Sequence, residues 1–166
     1  MTNKAAPKVK LYELNILMSK KLNKIVIHNN YQINFLFYED IELLHIDGVA
    51  NHIIIVSKAG SYKLKSVPAR TYLMLRLFRK RGFALVNGKV MVNLELCDYL
   101  IHKDLRPTLY LKNQEQISGV DLDFFYQHLR IADIRMVFKT KRKIVKKNSL
   151  LDAYDFKYSS TNSSYN

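Results

Sequence analysis

The apolar runs of this sequence are short, and that limits its fold more than any other feature. The tightest cluster, Ile53-Ile54-Ile55-Val56, is strand-sized, whereas a membrane helix needs about 20 consecutive apolar residues. Brief apolar or alternating runs bounded by turn chemistry read as β-strands. Lys24-Ile25-Val26-Ile27 is one such run, and His28-Asn29-Asn30 after it reads as a turn. Tyr31-Gln32-Ile33-Asn34-Phe35-Leu36-Phe37 begins by alternating apolar with polar residues, as a half-buried strand does. Tyr38-Glu39-Asp40 interrupts. Residues 41–46 and 52–57 are further strand candidates. Lys58-Ala59-Gly60 predicts a hairpin turn into Tyr62-Lys63-Leu64-Lys65, which alternates again.

The period then changes. Pro68, with Ser66 available before it, opens a helix over residues 69–81. Tyr72, Leu75 and Phe78 lie three apart. Met74, Leu77 and Phe78 share a side, while Arg70, Arg76, Arg79, Lys80 and Arg81 fall largely elsewhere. Cations in the last turn suit the helix dipole, and Gly82 is placed to end the helix in a left-handed conformation. Strands resume over residues 83–86, 90–94, 99–102, 108–112 and 116–118. Residues 121–130 read as a short amphipathic helix carrying Leu122, Phe125, Tyr126 and Leu129 on one side. Residues 135–145 return to extended character.

These patterns predict a mostly β chain, with short antiparallel sheets in a compact elongated arrangement and one or two short helices. Residues 1–23 read as an N-terminal arm or short helix, because Pro7 blocks regular structure and 11–22 is not cleanly periodic. Residues 24–130 form the expected domain, 131–158 a basic C-terminal extension, and 159–166 a disordered tail. No internal repeat of convincing period is present.

Charge bears on partners. Lys and Arg number 27 against 14 Asp and Glu, a formal net charge of +13. Such an excess attracts polyanions through long-range fields and counterion release. DNA, RNA and anionic membrane are the candidates, with solubility alone as the bland alternative. Met1-Thr2-Asn3-Lys4 leads into no apolar segment of the secretory kind, and Cys97 is the single cysteine. Both point to a reducing, cytoplasmic setting without disulfides.

Five features in order resemble the LytTR family of bacterial response-regulator output domains, over roughly the middle three-fifths of the chain. The first is Tyr38-Glu39-Asp40-Ile41-Glu42-Leu43-Leu44-His45-Ile46, an acidic residue followed by Ile and a strand. The second is Gly48-Val49-Ala50-Asn51-His52-Ile53-Ile54-Ile55, similar to the family's glycine–asparagine–aromatic loop and its following strand. The third is the helix at 69–81. The fourth, Gly82-Phe83-Ala84-Leu85-Val86-Asn87-Gly88-Lys89-Val90-Met91-Val92-Asn93-Leu94, has the spacing of the family signature: phenylalanine, a His-Arg-Ser-like triplet, then Val-Asn. The fifth is Leu109-Tyr110-Leu111-Lys112-Asn113 with Gln116-Ile117-Ser118, like the closing hairpin before the last helix. The sequence departs from the family pattern at Asn87, Gly88 and Lys89, which replace the triplet. It departs again at Gly119-Val120, where an arginine often precedes the last helix, and around Val49-Ala50, where the loop carries extra residues.

The resemblance implies a DNA-binding transcription regulator that places loops, not a recognition helix, in successive major grooves. Asn51, His52, Asn87, Lys89 and Ser118 stand at the matched loops. Short polar side chains there would read base edges, and cations would hold phosphates. Lys58, Lys139, Lys141, Arg142 and Lys143 are the phosphate-contact candidates. Each residue has a plainer reading beside this one. His52 could be a half-buried packing residue, Asn87-Gly88 a hairpin turn, and the cluster at 139–147 a solvated strand. Asn93 reads as a backbone tie. The expected partner is double-stranded DNA, bound as a homodimer on repeated half-sites. The residues before Tyr31 are too few for a receiver domain, so any signal is expected from a signalling protein partner, from the chain's own concentration or from the basic C-terminal extension. Membrane is not among the expected partners.

Two other classes stay open: a LytTR-like protein-interaction module without base readout, and an RNA or single-strand binder using its 11 Tyr and 8 Phe. Stacking needs exposed rings, whereas Phe35, Phe37, Phe78 and Phe83 sit in apolar patterns and read as core. No catalytic residue, metal site or cofactor is expected. His28, His45, His52, His102 and His128 include no i, i+4 pair, and the glycines do not cluster into a phosphate-cradling loop. Cys97 reads as core.

Overall fold

The computed structural model describes residues 10–103, 106–140 and 143–145, with the side chains of 103, 106, 138–140 and 143–145 left aside. Among these residues the short runs form thirteen strands and three α-helices. The chain divides into two compact units, Met1–Asn93 and Leu94–Asn166. Each unit has its own sheet, and the mostly β expectation holds. The expectation of one or two helices gives way to three. The proposed tail and the beginning of the proposed arm, residues 1–9, lie outside the described residues.

In the first unit the strands are β1 (Leu11–Leu14), β2 (Ile25–His28), β3 (Ile33–Leu36), β4 (Ile41–Asp47), β5 (His52–Ser57), β6 (Gly60–Lys65), β7 (Phe83–Leu85) and β8 (Val90–Asn93). They form one sheet in the order β3-β2-β1-β6-β5-β4-β8-β7. Most neighbours are antiparallel, but β1 runs parallel to β6, with Leu11 opposite Lys63 and Tyr12 opposite Leu64. The stretch 11–22 is therefore a strand and then a helix, α1 (Ile16–Leu22). The break falls at Asn15, whose side-chain oxygen accepts from Met18 N at 3.0 Å and caps the helix. Ser19 on α1 is fully buried, and both its bonding directions are satisfied. Its hydroxyl donates to Asn15 O at 2.6 Å and accepts from Val26 N at 2.9 Å.

One sheet face carries Ile25, Ile27, Leu44, Ile53, Ile55, Leu64 and Met91 into a core with Met74, Leu77 and Phe78. The last three belong to α2 (Pro68–Arg79). The alternation in β5 explains the placement: Ile53 and Ile55 are buried while Ile54 and Val56 are half-buried on the other side. Phe78 packs edge-on against Phe83 at 4.9 Å and Tyr38 at 5.7 Å between ring centroids. Phe78 and Phe83 are core as expected, but Phe35 and Phe37 are not: they stand 49% and 43% exposed. Leu36, between them in sequence, takes the inward position on this edge strand. The α2 start also differs from expectation. Val67 is the N-cap and gives no side-chain bond. Ser66 instead shares a short hydrogen bond with the hydroxyl of Thr71. Gly82 takes φ +83° as foreseen, a conformation that stops the helix without a Cβ penalty.

In the second unit the strands are β9 (Cys97–Lys103), β10 (Arg106–Leu111), β11 (Gln116–Ser118), β12 (Arg135–Thr140) and β13 (Lys143–Val145). Their order is β11-β10-β9-β12-β13, with β9 and β12 parallel. Leu100, Leu109, Leu111, Ile117 and Met136 of this sheet are buried, as are Phe125 and Leu129 of α3 (Leu122–Ile131). Asp121 caps α3 by accepting from Asp123 N and Phe124 N at 3.1 and 3.4 Å. Most pairings are antiparallel as expected, with β1–β6 and β9–β12 as parallel additions.

Candidate nucleic-acid interface

Strand β4 ends at Asp47, and two loops flank that end. On one side, the loop after Asp47 returns as β5, which begins at His52 directly opposite Asp47. On the other, Ile46 N donates to Lys89 O at 2.7 Å, so the loop before β8 is fastened to the same strand end. Neighbouring strands lie about 4.8 Å apart, which sets the two loops about 10 Å from each other. Asn51 and His52 on β5's side and Asn87 and Lys89 on β8's side are thereby brought to one edge of the first unit.

Each loop is held by an acidic or amide side chain turned onto its own backbone. The Asp47 carboxylate accepts from Val49 N at 3.1 Å and Ala50 N at 2.9 Å. Asn51 closes that loop in a left-handed conformation, φ +51°, which asparagine tolerates better than most residues. Its carbonyl accepts from Ser66 N at 2.9 Å. In the second loop the Asn87 side-chain oxygen accepts from Lys89 N and Val90 N, both at 2.9 Å. The turn reading of Asn87-Gly88 is thus realised, with the Asn87 oxygen engaged in it. Lys89 is exposed beside that turn. His52 is half-buried, and its Nδ1 is buried without a hydrogen-bond partner among the described residues. A hollow of about 340 Å³ lies beside it, lined in part by Asn51, His52, Ser66, Tyr72 and Leu75.

Ser118 belongs to the second unit. It is exposed at the end of β11, opposite Thr108, and Gly119 follows it at φ +72°. Lys58 stands at the other end of β5 from His52, in the β5–β6 turn. Its ammonium meets an Asp40 carboxylate oxygen at 3.2 Å, so it does not share the edge of the two loops. Lys141 and Arg142 lie outside the described residues, as do the side chains of Lys139 and Lys143, which sit on β12 and β13. Asn93 is the backbone tie that its pattern suggested, donating from Nδ2 to Ile41 O at 3.1 Å.

Two residues at this edge escaped the sequence reading. Val49 is 98% exposed in the first loop, an apolar group of the kind that can meet a thymine methyl. Lys65 ends β6 opposite His52 and is exposed. Counting the hairpin register back from the Lys58–Gly60 turn would have found it.

Among the described residues, no group of three His, Cys, Asp or Glu is placed to hold a metal ion. No described helix is long and apolar enough to cross a membrane. Cys97 is buried, and burial pushes its thiol up to about 12, with Lys112 opposing the rise. That is the reverse of an activated nucleophile.

The two sheets with their three helices are consistent with a LytTR-like fold. The particular likeness is to the LytTr DNA-binding domain of a methyl-accepting/DNA response regulator from Bacillus cereus. The match covers 65% of this chain and 94% of that one, with a TM-score of 0.50 and 8% sequence identity. No family model matches the sequence, and no curated protein matches it.

Proposed function

We propose that this chain is a sequence-specific DNA-binding transcription regulator that meets duplex DNA through the loops of its LytTR-like scaffold. The observation that carries the reading is the pair of loops fastened to the end of β4, about 10 Å apart, on a fold shared with a DNA-binding domain. Asn51, His52 and Val49 offer a base-reading surface on one loop, and Lys89 offers a cation on the other. Ser118 supplies the contact of the second unit. Lys139, Lys141, Arg142 and Lys143 are proposed for the phosphates; Lys58, at the far end of β5 and paired with Asp40, is not. The excess of 27 Lys and Arg over 14 Asp and Glu supplies the long-range attraction. The chain binds as a pair on repeated half-sites in the cytoplasm, takes its signal from a protein partner, and performs no catalysis.

The test is a titration with genomic duplex fragments at two salt concentrations, followed by footprinting. A protected site with repeated half-sites is expected, and Lys89→Ala should cost about tenfold, consistent with loss of one charge-assisted contact. Equal affinity for every fragment would replace this reading with a general polyanion binder. Absence of binding at low salt would replace it with a protein-interaction module.

A further inference from the structure

A basic groove lies between the two helices of the first unit, away from the loops. It has a volume of about 560 Å³ and is lined by Lys20 of α1 and by Leu73, Arg76, Leu77, Lys80 and Arg81 of α2 and its C-terminal end. No carboxylate lines it. Among the described residues, Lys20, Arg76 and Lys80 take part in no ion pair. Arg76 and Lys80 stand one helical turn apart, a like-charge spacing that destabilises a helix. Arg81 lies over the Tyr38 ring at 5.3 Å, which fixes one cation at the rim. The loops are at the opposite end of α2: its first turn follows Ser66, whose N–H is bonded to Asn51. Twelve helical residues separate the two ends by about 18 Å.

The groove is not simply basic. Leu77 is buried in its floor and Leu73 is 40% exposed in its wall. Leu17 precedes Lys20 by three residues on α1, which puts both on one helix face, and it is 80% exposed. A DNA backbone gains nothing from leucines beside its phosphates. An amphipathic acidic helix gains from both features, since its apolar stripe covers the leucines and its carboxylates pair with the cations.

We propose that this groove docks an acidic amphipathic helix of a partner protein. The proposal goes beyond the DNA-binding reading and does not depend on it. It is tested on the full chain with a fluorescein-labelled peptide of about 20 residues, built from Glu with Leu at helical i, i+3, i+4 and i+7 positions. The comparison probes are poly-Glu of equal length and the same leucine pattern built on Lys. Fluorescence anisotropy should show saturable binding of the Glu–Leu peptide. Poly-Glu should bind at least about fivefold more weakly, and the Lys peptide not at all. Arg76→Glu with Lys80→Glu should weaken binding at least about tenfold, and Leu73→Ser about threefold. Arg76→Gln with Lys80→Gln repeats the test with a gentler change, and thermal melting checks that each variant folds. Duplex binding, measured in parallel, should be far less affected by these changes than by Lys89→Ala. Equal binding of poly-Glu, or unchanged binding by the charge variants, overturns the proposal. So does a loss of duplex affinity matching that of Lys89→Ala, which would assign the groove to DNA.

Discussion

Asn87 offers the sharpest separation of fold from function, because one of its oxygen atoms accepts two backbone bonds within the loop that is proposed to meet DNA. Its side-chain oxygen accepts from Lys89 N and Val90 N, both at 2.9 Å. Replacement by alanine strands both donors. The Lys89 amide lies in an exposed loop and can turn to water, so its loss costs little beyond the bond itself, about 0.5–1 kcal/mol. The Val90 amide is partly buried and recovers less, so it costs about 1–2 kcal/mol. Together the change should remove about 2 kcal/mol, which in a chain of this length lowers the melting temperature by about 4–8 °C.

Asn87→Asp keeps the accepting oxygen and adds a charge. The melting temperature should then stay near that of the parent. A duplex phosphate about 4 Å from the new carboxylate would be repelled by about 1 kcal/mol in water, so affinity should fall about fivefold. Circular dichroism melts and duplex titrations at one salt concentration read both effects. If Asn87→Ala melts with the parent, the side-chain bonds do not hold this turn. If Asn87→Asp binds duplex as tightly as the parent, the loop does not face phosphate.

Other outcomes follow from the core and the helix ends. Phe78→Ala removes a fully buried ring packed on Phe83 and Tyr38 and should cost about 3–5 kcal/mol in urea unfolding; a loss below about 1 kcal/mol would contradict that packing. Asp121→Ala deletes the α3 cap and should cost about 1 kcal/mol, most of it restored by Asp121→Asn. The Cys97 thiol should resist iodoacetamide at pH 8 in the folded chain and react on unfolding. Its raised folded value of about 12, against 9.0 ordinarily, contributes stability that is complete below pH 9 and is lost as pH climbs toward 12. Cys97→Ser should flatten that part of the stability profile, and an unchanged slope would count against the buried neutral thiol.

Local chemistry made much of the first unit legible. Strand β5 occupies residues 52–57, as its apolar run and the turns around it predicted. Helix α2 was bracketed by Pro68 and Gly82, two residues whose backbone preferences are nearly independent of context. What failed was decided by distant contacts. Leu11-Tyr12-Glu13-Leu14 is ambiguous by itself and becomes a strand because β6 is there to pair with it. Alternation in β3 separated Phe35 from Leu36 but could not say which face would be covered. Ser66 was a plausible cap until Thr71 claimed its hydroxyl. In the candidate site, the resemblance to LytTR loops pointed to Asn51, His52, Asn87 and Lys89. Their meeting at one edge depends on the β4–β8 pairing, which joins segments about 45 residues apart and leaves no local trace.

The same geometry accommodates Asn87-Gly88-Lys89 at the position where the LytTR pattern that the chain resembles has its triplet. The loop is anchored by backbone groups: Ile46 N to Lys89 O at 2.7 Å and Val86 N to Val90 O at 2.9 Å. Those bonds do not depend on which side chain follows. The side-chain bonds seen in the loop need a short acceptor at position 87, and asparagine meets that need. Position 89 is therefore free to vary in chemistry while the sheet end keeps its shape, and the same holds for the 98% exposed side chain of Val49. Under the proposed DNA-binding reading, substitution at these exposed tips would change base preference while Phe83, Met91 and Val92 stay buried.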